Sequence, residues 1–237
     1  FERLVFINDF TALALALPHL QRADIQQIGG GTPQPNAPLA LLGAGTGLGV
    51  SGLIPCGAGW QPLAGEGGHV SLAAGNAREA AIIAVLAARF GHVSAERALS
   101  GPGIAALHDA IRQLEGAPPC QLDSREISAR ALAGSCPYCS EALDVFCALL
   151  GSVAADLALT LGARGGVYVG GGIVPALGGF FERSGFRARF EAKGRFSAYL
   201  AGVPTYVIRA PYAALSGASE ALDRATPAPP MPPEATK

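Results

Sequence analysis

The fold is decided by Leu41-Leu42-Gly43-Ala44-Gly45-Thr46-Gly47-Leu48-Gly49-Val50, where an apolar run breaks into alternating glycines around one threonine and then resumes. The pattern predicts a strand, a tight turn and a second strand. Glycines at alternate positions leave one edge of the turn without Cβ atoms, so backbone N–H groups can approach an anion, and Thr46 adds a hydroxyl donor. The turn is therefore a candidate phosphate cradle, although a glycine-rich turn that binds nothing explains the same pattern.

Composition limits the class of protein. The chain has 237 residues, of which 50% are hydrophobic, enough for one large domain or two small ones. Its net charge is −1 and it has no long run of one sign, so neither nucleic acid nor a membrane is implied as a partner. No signal peptide or transmembrane helix is visible. Five cysteines without a secretory signal indicate reduced thiols in the cytoplasm.

Two polar residues near the start of the chain follow a short apolar run. Leu4 to Ile7 is predicted to be a buried strand, and Phe10 to Leu17 a helix that Pro18 stops. Between them lie Asn8 and Asp9. A carboxylate beyond the carboxyl end of a strand in an α/β fold can accept a proton from a substrate hydroxyl. Asp9 could equally serve only as the cap of the helix.

The segment Gly65-Glu66-Gly67-Gly68-His69-Val70 places a carboxylate and an imidazole three residues apart in a glycine-rich loop, before a predicted strand. Together they offer an acceptor and a switchable donor, which suits the hydroxyl groups of a sugar. A purely structural histidine at the start of a strand is the other interpretation. Further along, Ser94 is a predicted N-cap, and Glu96 lies in the first helical turn, where an acid usually compensates the helix dipole.

Cys136-Pro137-Tyr138-Cys139 opens a predicted long helix whose apolar residues form one stripe. A redox interpretation would need a small βαβ domain around the motif. Four cysteines suffice by count for a zinc site, namely Cys120, Cys136, Cys139 and Cys147, but no histidine is close to them in the chain. Structural thiols are the favoured interpretation, and the sequence assigns no metal ligand.

The last third of the chain contains a strand at 167–169 followed by three glycines and a helix that begins near Ile173. A glycine turn between a strand and a helix N-terminus is a typical approach site for an anion or a nucleotide. A strand is predicted over 206–208 and a short helix within 211–222.

Seven motifs stand in a fixed order along the chain: Asn8-Asp9, GTGLG at 45–49, GEGGHV at 65–70, HVSAERALSGPG at 92–103, SCPYCSEAL at 135–143, GGVYVGGGIVP at 165–175 and FEAKGRF at 190–196. Their order and spacing closely resemble those of bacterial glucokinases of the hexokinase type, in the actin-like ATPase superfamily. The match runs from about Phe6 to Leu222, which makes coincidence an inadequate explanation.

The resemblance implies an α/β protein with the two-lobed actin-like ATPase (ribonuclease H-like) fold, which transfers phosphate from ATP to the 6-hydroxyl of D-glucose in glycolysis. Asp9 matches the general base of the family. The residues that match its sugar-binding set are Asn8, Glu66, His69 and Glu96. Those that match its nucleotide-binding set are Gly45, Thr46, Gly47, Gly171 and Gly172. Mg²⁺ is expected with ATP because phosphoryl transfer depends on charge neutralisation. A homodimer is expected as well.

One family motif has no counterpart here. Members begin with a phosphate loop of the form Asp-x-Gly-Gly-Thr, so we expect this chain to be an incomplete glucokinase whose small lobe lacks its N-terminal part. Residues 1–18 would then be the end of the small domain and residues 19–209 the large sugar- and nucleotide-binding domain. Residues 210–222 would form a helix that returns to the small domain, and residues 223–237 a disordered tail.

Three other functions stay open. An inactive glucokinase fragment would bind ligands without turnover. A non-catalytic sugar-binding or regulatory module on the same scaffold would keep Glu66, His69 and Glu96 but would need no base. A redox protein built on the CxxC motif would form an easily reduced disulfide.

Overall fold

A six-stranded mixed sheet lies at the centre of the part of the chain that the structure, a computed structural model, describes: residues 4–57 and 59–224. The strands are β1 (Ile25–Ile28), β2 (Leu39–Ala44), β3 (Leu48–Cys56), β4 (Gly59–Ala64), β5 (Gly166–Gly170) and β6 (Thr205–Ile208), in the spatial order β1-β6-β5-β2-β3-β4. β2, β5 and β6 are parallel to one another, whereas β1, β3 and β4 run antiparallel to their neighbours. The predicted strand, turn and strand around Thr46 are confirmed as β2 and β3.

The helices of the described residues are α1 (Asp9–Ala16), α2 (Ala77–Phe90), α3 (Ala95–Ala98), α4 (Gly101–Leu114), α5 (Ser124–Leu132), α6 (Pro137–Leu161), α7 (Ile173–Leu177), α8 (Gly179–Arg183), α9 (Phe186–Glu191), α10 (Ser197–Ala201) and α11 (Ala213–Arg224). The amphipathic pattern of residues 77–90, closed by Gly91, predicts a helix. α2 has these bounds, because the Asn76 side chain caps its first turn and Gly91 ends it with φ +71°. The sequence also predicts a helix from Ile104 to Glu115 after a turn at 100–103. α4 begins earlier, at Gly101, because the Ser100 hydroxyl accepts a hydrogen bond from Gly103 N at 3.1 Å.

Helices cover both faces of the sheet, and alternate residues of β2 point to opposite faces. Leu42 packs with the larger core, which contains α2, α4, α6 and the aromatic residues of α8 and α9. Leu41 packs with the smaller core beneath α1 and α11. Gly49 lets α1 approach β3, because a Cβ there would lie 2.0 Å from Cδ2 of Phe10. The carboxyl ends of β2 and β5 therefore open into a space that α1 borders.

The N-terminal strand prediction is wrong. Residues 4–7 form no strand, and the side chains of Leu4 and Phe6 are 72% and 89% exposed. A strand requires a neighbour to share its backbone hydrogen bonds, and none lies beside these residues in the described part of the chain. The predicted helix after them is confirmed as α1, which ends two residues before Pro18.

The predicted tail is wrong at its first two residues. Asp223 and Arg224 belong to α11, where the Nε of Arg224 donates to Glu220 Oε1 at 2.8 Å one turn earlier. The remainder of the predicted tail, residues 225–237, lies outside the described residues.

α6 is the main core helix. It is long and apolar enough for a membrane span by length and composition, but 61% of its most apolar window is buried inside the protein. The stripe predicted from the sequence is confirmed for Cys139, Leu143, Phe146 and Leu150, which are fully buried. Burial also raises the pKa of the Cys147 thiol to about 12, as expected for an unreactive structural cysteine.

One buried ion pair holds α2 against α9. Both carboxylate oxygens of Glu79, a residue 2% exposed, accept from the guanidinium of Arg189 at 2.7 and 2.9 Å. Gly75 N donates to the same carboxylate at 2.7 Å. Burial acts to raise the pKa of Glu79, but the hydrogen bonds from Arg189 and Gly75 outweigh it, so this pKa is lower than its ordinary value.

Candidate active site

The turn between β2 and β3 forms the floor of a polar cavity of about 370 Å³. Its lining residues come from parts of the chain that are far apart in sequence: Asp9, Phe10, Gly43, Gly45, Thr46, Gly47, Leu48, Gly49, Glu66, Glu96 and Gly171. The structure thus brings together the candidate base, two of the four candidate sugar ligands and four of the five candidate nucleotide-binding residues. Asn8, His69 and Gly172 are outside this lining.

Asn8, and not Asp9, is the N-cap of α1. The Oδ1 atom of Asn8 accepts from Phe10 N at 2.9 Å and from Thr11 N at 3.1 Å, so only its amide NH₂ group remains for a ligand. Asp9 lies in the first turn, where its Oδ1 accepts from Phe10 N at 2.9 Å. The carboxylate of Asp9 is exposed and faces the cavity. A carboxylate at this position can accept a proton from a hydroxyl group bound in the cavity.

Glu96 supports the glycine turn from the opposite wall. Its Oε2 accepts from Leu48 N at 2.9 Å, which joins α3 to the first residue of β3. Gly47 makes this contact feasible, because a Cβ at that position would lie 2.5 Å from the same oxygen. Ser94 is the N-cap residue of α3, as predicted, although its side chain makes no capping hydrogen bond. Glu96 therefore faces the cavity and also holds the turn.

The glycines around Glu66 bring its loop against β3. A Cβ at Gly68 would lie 2.1 Å from the carbonyl oxygen of Leu48, so only glycine fits there. Glu66 is exposed in the cavity, and His69 lies at the end of the following 3-10 turn, also exposed. The strand predicted after His69 is wrong, because only Ser71 forms a single bridge, to Ser94.

The backbone of the turn is partly engaged with itself. Gly45 N donates to the carbonyl of Gly47 at 2.8 Å, and Gly101 N donates to the carbonyl of Gly45 at 2.8 Å. Within the described residues, the N–H groups of Thr46 and Gly47 have no partner and, with the exposed Thr46 hydroxyl, remain available to an anion. Gly45 contributes by its lack of a side chain and not by its N–H group.

Gly171 and Gly172 face two different cavities. Gly171 borders the polar cavity with φ +79°, and a Cβ there would lie 2.3 Å from the carbonyl oxygen of Ala44. Gly172 borders a second, mainly apolar cavity of about 630 Å³. The second cavity is also lined by Gly45, Thr46, Gly101, Pro102, Ile104, Ser124, Arg125, Ser128, Ala129, Leu132, Ile173, Ala176 and Leu177. The two cavities meet at Gly45 and Thr46.

The sequence did not reveal the contribution of α5 to this second cavity. Ser124, Arg125 and Ser128 are polar residues of a short amphipathic helix, and nothing in their spacing points to a ligand. The available signal was the capping box formed by Asp123 and Glu126, which fixes where α5 begins but not what it faces.

The geometry agrees with the comparison against protein families. The glucokinase family matches residues 1–225. The chain belongs to the glucokinase family. Among curated members, the glucokinase of Aromatoleum aromaticum is 70% identical over 223 residues, which cover 94% of this chain and 67% of that protein. The chain thus spans about two thirds of the length of this glucokinase relative.

Solved glucokinase structures share the fold. The crystal structure of a glucokinase from an Antarctic psychrotroph has a TM-score of 0.87 and 39% sequence identity, and the match covers 92% of this chain and 68% of that one. A ROK family glucokinase from Streptomyces griseus, solved in complex with glucose and AMPPNP, has a TM-score of 0.59 at 19% identity, with 92% and 67% covered. The α/β, actin-like ATPase fold expected from the sequence is confirmed.

Proposed function

We propose that this protein transfers the terminal phosphoryl group of ATP to the 6-hydroxyl of D-glucose. The observation that carries the proposal is the polar cavity, in which Asp9, Glu66 and Glu96 surround the anion-accepting turn at Thr46. Acidic side chains bind sugar hydroxyls as hydrogen-bond acceptors. The turn can accept a phosphate at the edge of the same cavity. Glucose, which accepts the phosphoryl group, and ATP, which donates it, would meet in this cavity.

Asp9 acts as the general base in this proposal. Its carboxylate accepts the proton of the glucose 6-hydroxyl while that oxygen attacks the phosphorus atom. Glu66 and Glu96 bind the remaining hydroxyls and orient the ring, and the amide of Asn8 and the imidazole of His69 complete the sugar site from the rim. Orientation matters because a reacting oxygen placed in line lowers the entropic cost of the transfer.

ATP would extend from the turn into the apolar cavity. Gly45, Thr46 and Gly47 lie at the junction, so the phosphates would rest there, and Gly171 and Gly172 leave room beside them for the nucleoside. The apolar lining suits a flat base. Mg²⁺ is proposed to accompany ATP and to supply charge neutralisation of the phosphates.

The domain assignment is proposed on the packing of the two terminal helices. α1 and α11 approach each other closely, since a Cβ at Gly217 would lie 1.7 Å from the carbonyl oxygen of Ala12. We assign residues 1–18 and 210–222 to the small lobe and residues 19–209 to the large lobe. Leu4, Phe6 and Leu215 are exposed apolar side chains of this small lobe. A homodimer in the cytoplasm completes the proposal, and light scattering of the purified protein tests the dimer.

The decisive experiment pairs two measurements on the chain. Thermal unfolding is followed with D-glucose and with D-galactose as the epimeric control, and glucose 6-phosphate formation is followed with Mg²⁺-ATP. A glucose-specific rise in Tm together with turnover supports the proposal. A rise without turnover supports the sugar-binding module or an inactive fragment, and no response in a folded sample overturns the sugar assignment.

A further inference from the structure

A buried histidine without a hydrogen-bond partner lies on α4, away from both cavities. The side chain of His108 is 1% exposed, and neither ring nitrogen has a hydrogen-bond partner among the described residues. Oδ1 of Asp109 lies 3.6 Å from Nδ1, which is too long for a hydrogen bond. Burying an unpaired polar group lowers the stability of the folded state. Such a group is therefore retained only where something compensates for it.

Two thiols lie beside this imidazole. A ring nitrogen of His108 and the Sγ atoms of Cys136 and Cys139 are all within 4.8 Å of one another. In a tetrahedral zinc site, bonds of about 2.0–2.3 Å hold such ligand atoms roughly 3.5–3.8 Å apart. Small side-chain adjustments suffice to reach that geometry. The C-x-x-C spacing at the start of α6 is also typical of zinc sites.

We propose that His108, Cys136 and Cys139 form a structural zinc site, with a fourth position open to Cys120 or water. Two soft thiolates with one imidazole favour Zn²⁺ over the oxygen-seeking Mg²⁺ and Ca²⁺. Cys120 is half-buried, and its thiol lies near enough to Cys139 to interact with it electrostatically. The metal would give the buried imidazole of His108 the partner that it otherwise lacks among the described residues.

The site would cross-link two helices and would take no part in catalysis. His108 lies four residues after Ile104, the last residue of α4 in the cavity lining, so it is about 6 Å further along the helix. Cys136 is the N-cap residue of α6, and Cys139 lies in its first turn. α5 lies between these ligands in the chain and lines the apolar cavity. A metal here would hold α5 in place by joining the helices on either side of it.

The test measures zinc in the chain purified without a polyhistidine tag and under reducing conditions. We expect about one zinc ion per chain after dialysis, and visible absorption bands of a tetrahedral thiolate complex when cobalt(II) replaces it. Chelation should lower the Tm. His108→Leu, which keeps the site buried, and Cys139→Ser should each lose the metal. Cys56→Ser changes an exposed cysteine elsewhere and should retain it.

A second measurement needs no variant and covers the case in which the variants fail to fold. Cysteine alkylation, mapped by peptide mass, should be slowed by Zn²⁺ at Cys136 and Cys139 and unchanged at Cys56. The proposal is overturned if the reduced chain binds no zinc, if His108→Leu binds as much as the parent chain, or if alkylation at Cys136 is indifferent to Zn²⁺.

Discussion

The polar cavity and the apolar cavity share Gly45 and Thr46 but differ in how they are built. The polar cavity collects carboxylates from three distant segments, at Asp9, Glu66 and Glu96, onto a floor of glycines. The apolar cavity is formed mainly by α4, α5 and α7, whose small and aliphatic side chains face inward. Under the proposed function, glucose would bind in the cavity rich in acceptors and the nucleotide in the apolar one, and the phosphoryl transfer would take place where the two cavities meet.

The largest expected effect comes from removing the base without changing the shape of the polar cavity. Asp9→Asn in an active preparation should lower turnover by roughly 10²-fold or more and leave glucose affinity within a few fold. Steady-state kinetics and glucose titration measure the two quantities separately. Equal losses of turnover and glucose affinity would show that Asp9 binds the sugar and does not act as the base. Asp9 would then not differ in role from Glu66 and Glu96.

Filling the apolar cavity should affect only the nucleotide. Ala129→Phe places a ring among the lining residues of α5, and we expect ATP to bind about 10-fold more weakly, equivalent to about 1.4 kcal/mol. The glucose-dependent rise in Tm should be unchanged. Ala133→Phe, just beyond α5 and outside the lining, is the matched control. If both substrates weaken together, the two cavities do not work as separate sites.

A smaller effect is expected where the polar cavity depends on a glycine. Gly47→Ala would place a Cβ 2.5 Å from Glu96 Oε2 and displace the carboxylate from Leu48 N. We expect glucose to bind roughly three- to tenfold more weakly, because Glu96 loses its orienting hydrogen bond. Gly30→Ala, in the loop after β1, where an added Cβ would have no atom within 4 Å, controls for backbone stiffening. Unchanged glucose affinity would show that glucose binding does not depend on the hydrogen bond between Glu96 and Leu48.

The smallest effect on either cavity is expected from a carboxylate that only holds the fold. Glu79 has a pKa below its ordinary value of 4.5, so its contribution to stability is present above pH 4.5 and is lost as the pH falls through the folded-state pKa. Glu79→Gln should lower the Tm at neutral pH and leave ligand affinities unchanged. The Tm of this variant should also fall less steeply with decreasing pH than that of the parent chain. Glu191→Gln, at a more exposed pair with Arg187, should change the Tm little. An unaltered acid profile in Glu79→Gln would contradict this role.

Local patterns predicted much of the fold. The glycine hairpin, α2 with its caps, α1 before Pro18 and the stripe of α6 all follow from signals within a few residues of each element. The sequence failed where a distant partner decides the outcome. Residues 4–7 have a strand composition but no neighbour to pair with, whereas β1 and β4 are strands because β6 and β3 lie beside them.

The candidate site shows the same division. Motif resemblance named Asp9, Glu66 and Glu96, but it could not show that Asn8 uses its oxygen as a cap or that Gly45 N is already bonded to Gly47. These hydrogen bonds involve backbone groups of the folded chain, so the residue types do not indicate them. His69 and Gly172 keep their assignments as predictions, and the kinetic experiments above test the site in which they are placed.

By itself, the sequence determined the fold class, the family and the residues that offer reactive groups, because these depend on residue type and local spacing. Only the tertiary structure decided which of these groups meet. It placed Gly171 and Gly172 at different cavities and α5 beside the apolar cavity. It also brought His108 close to Cys136 and Cys139, which follow it by 28 and 31 residues in the chain. The physical reason is that packing, and not position in the chain, sets the distances between side chains on different helices.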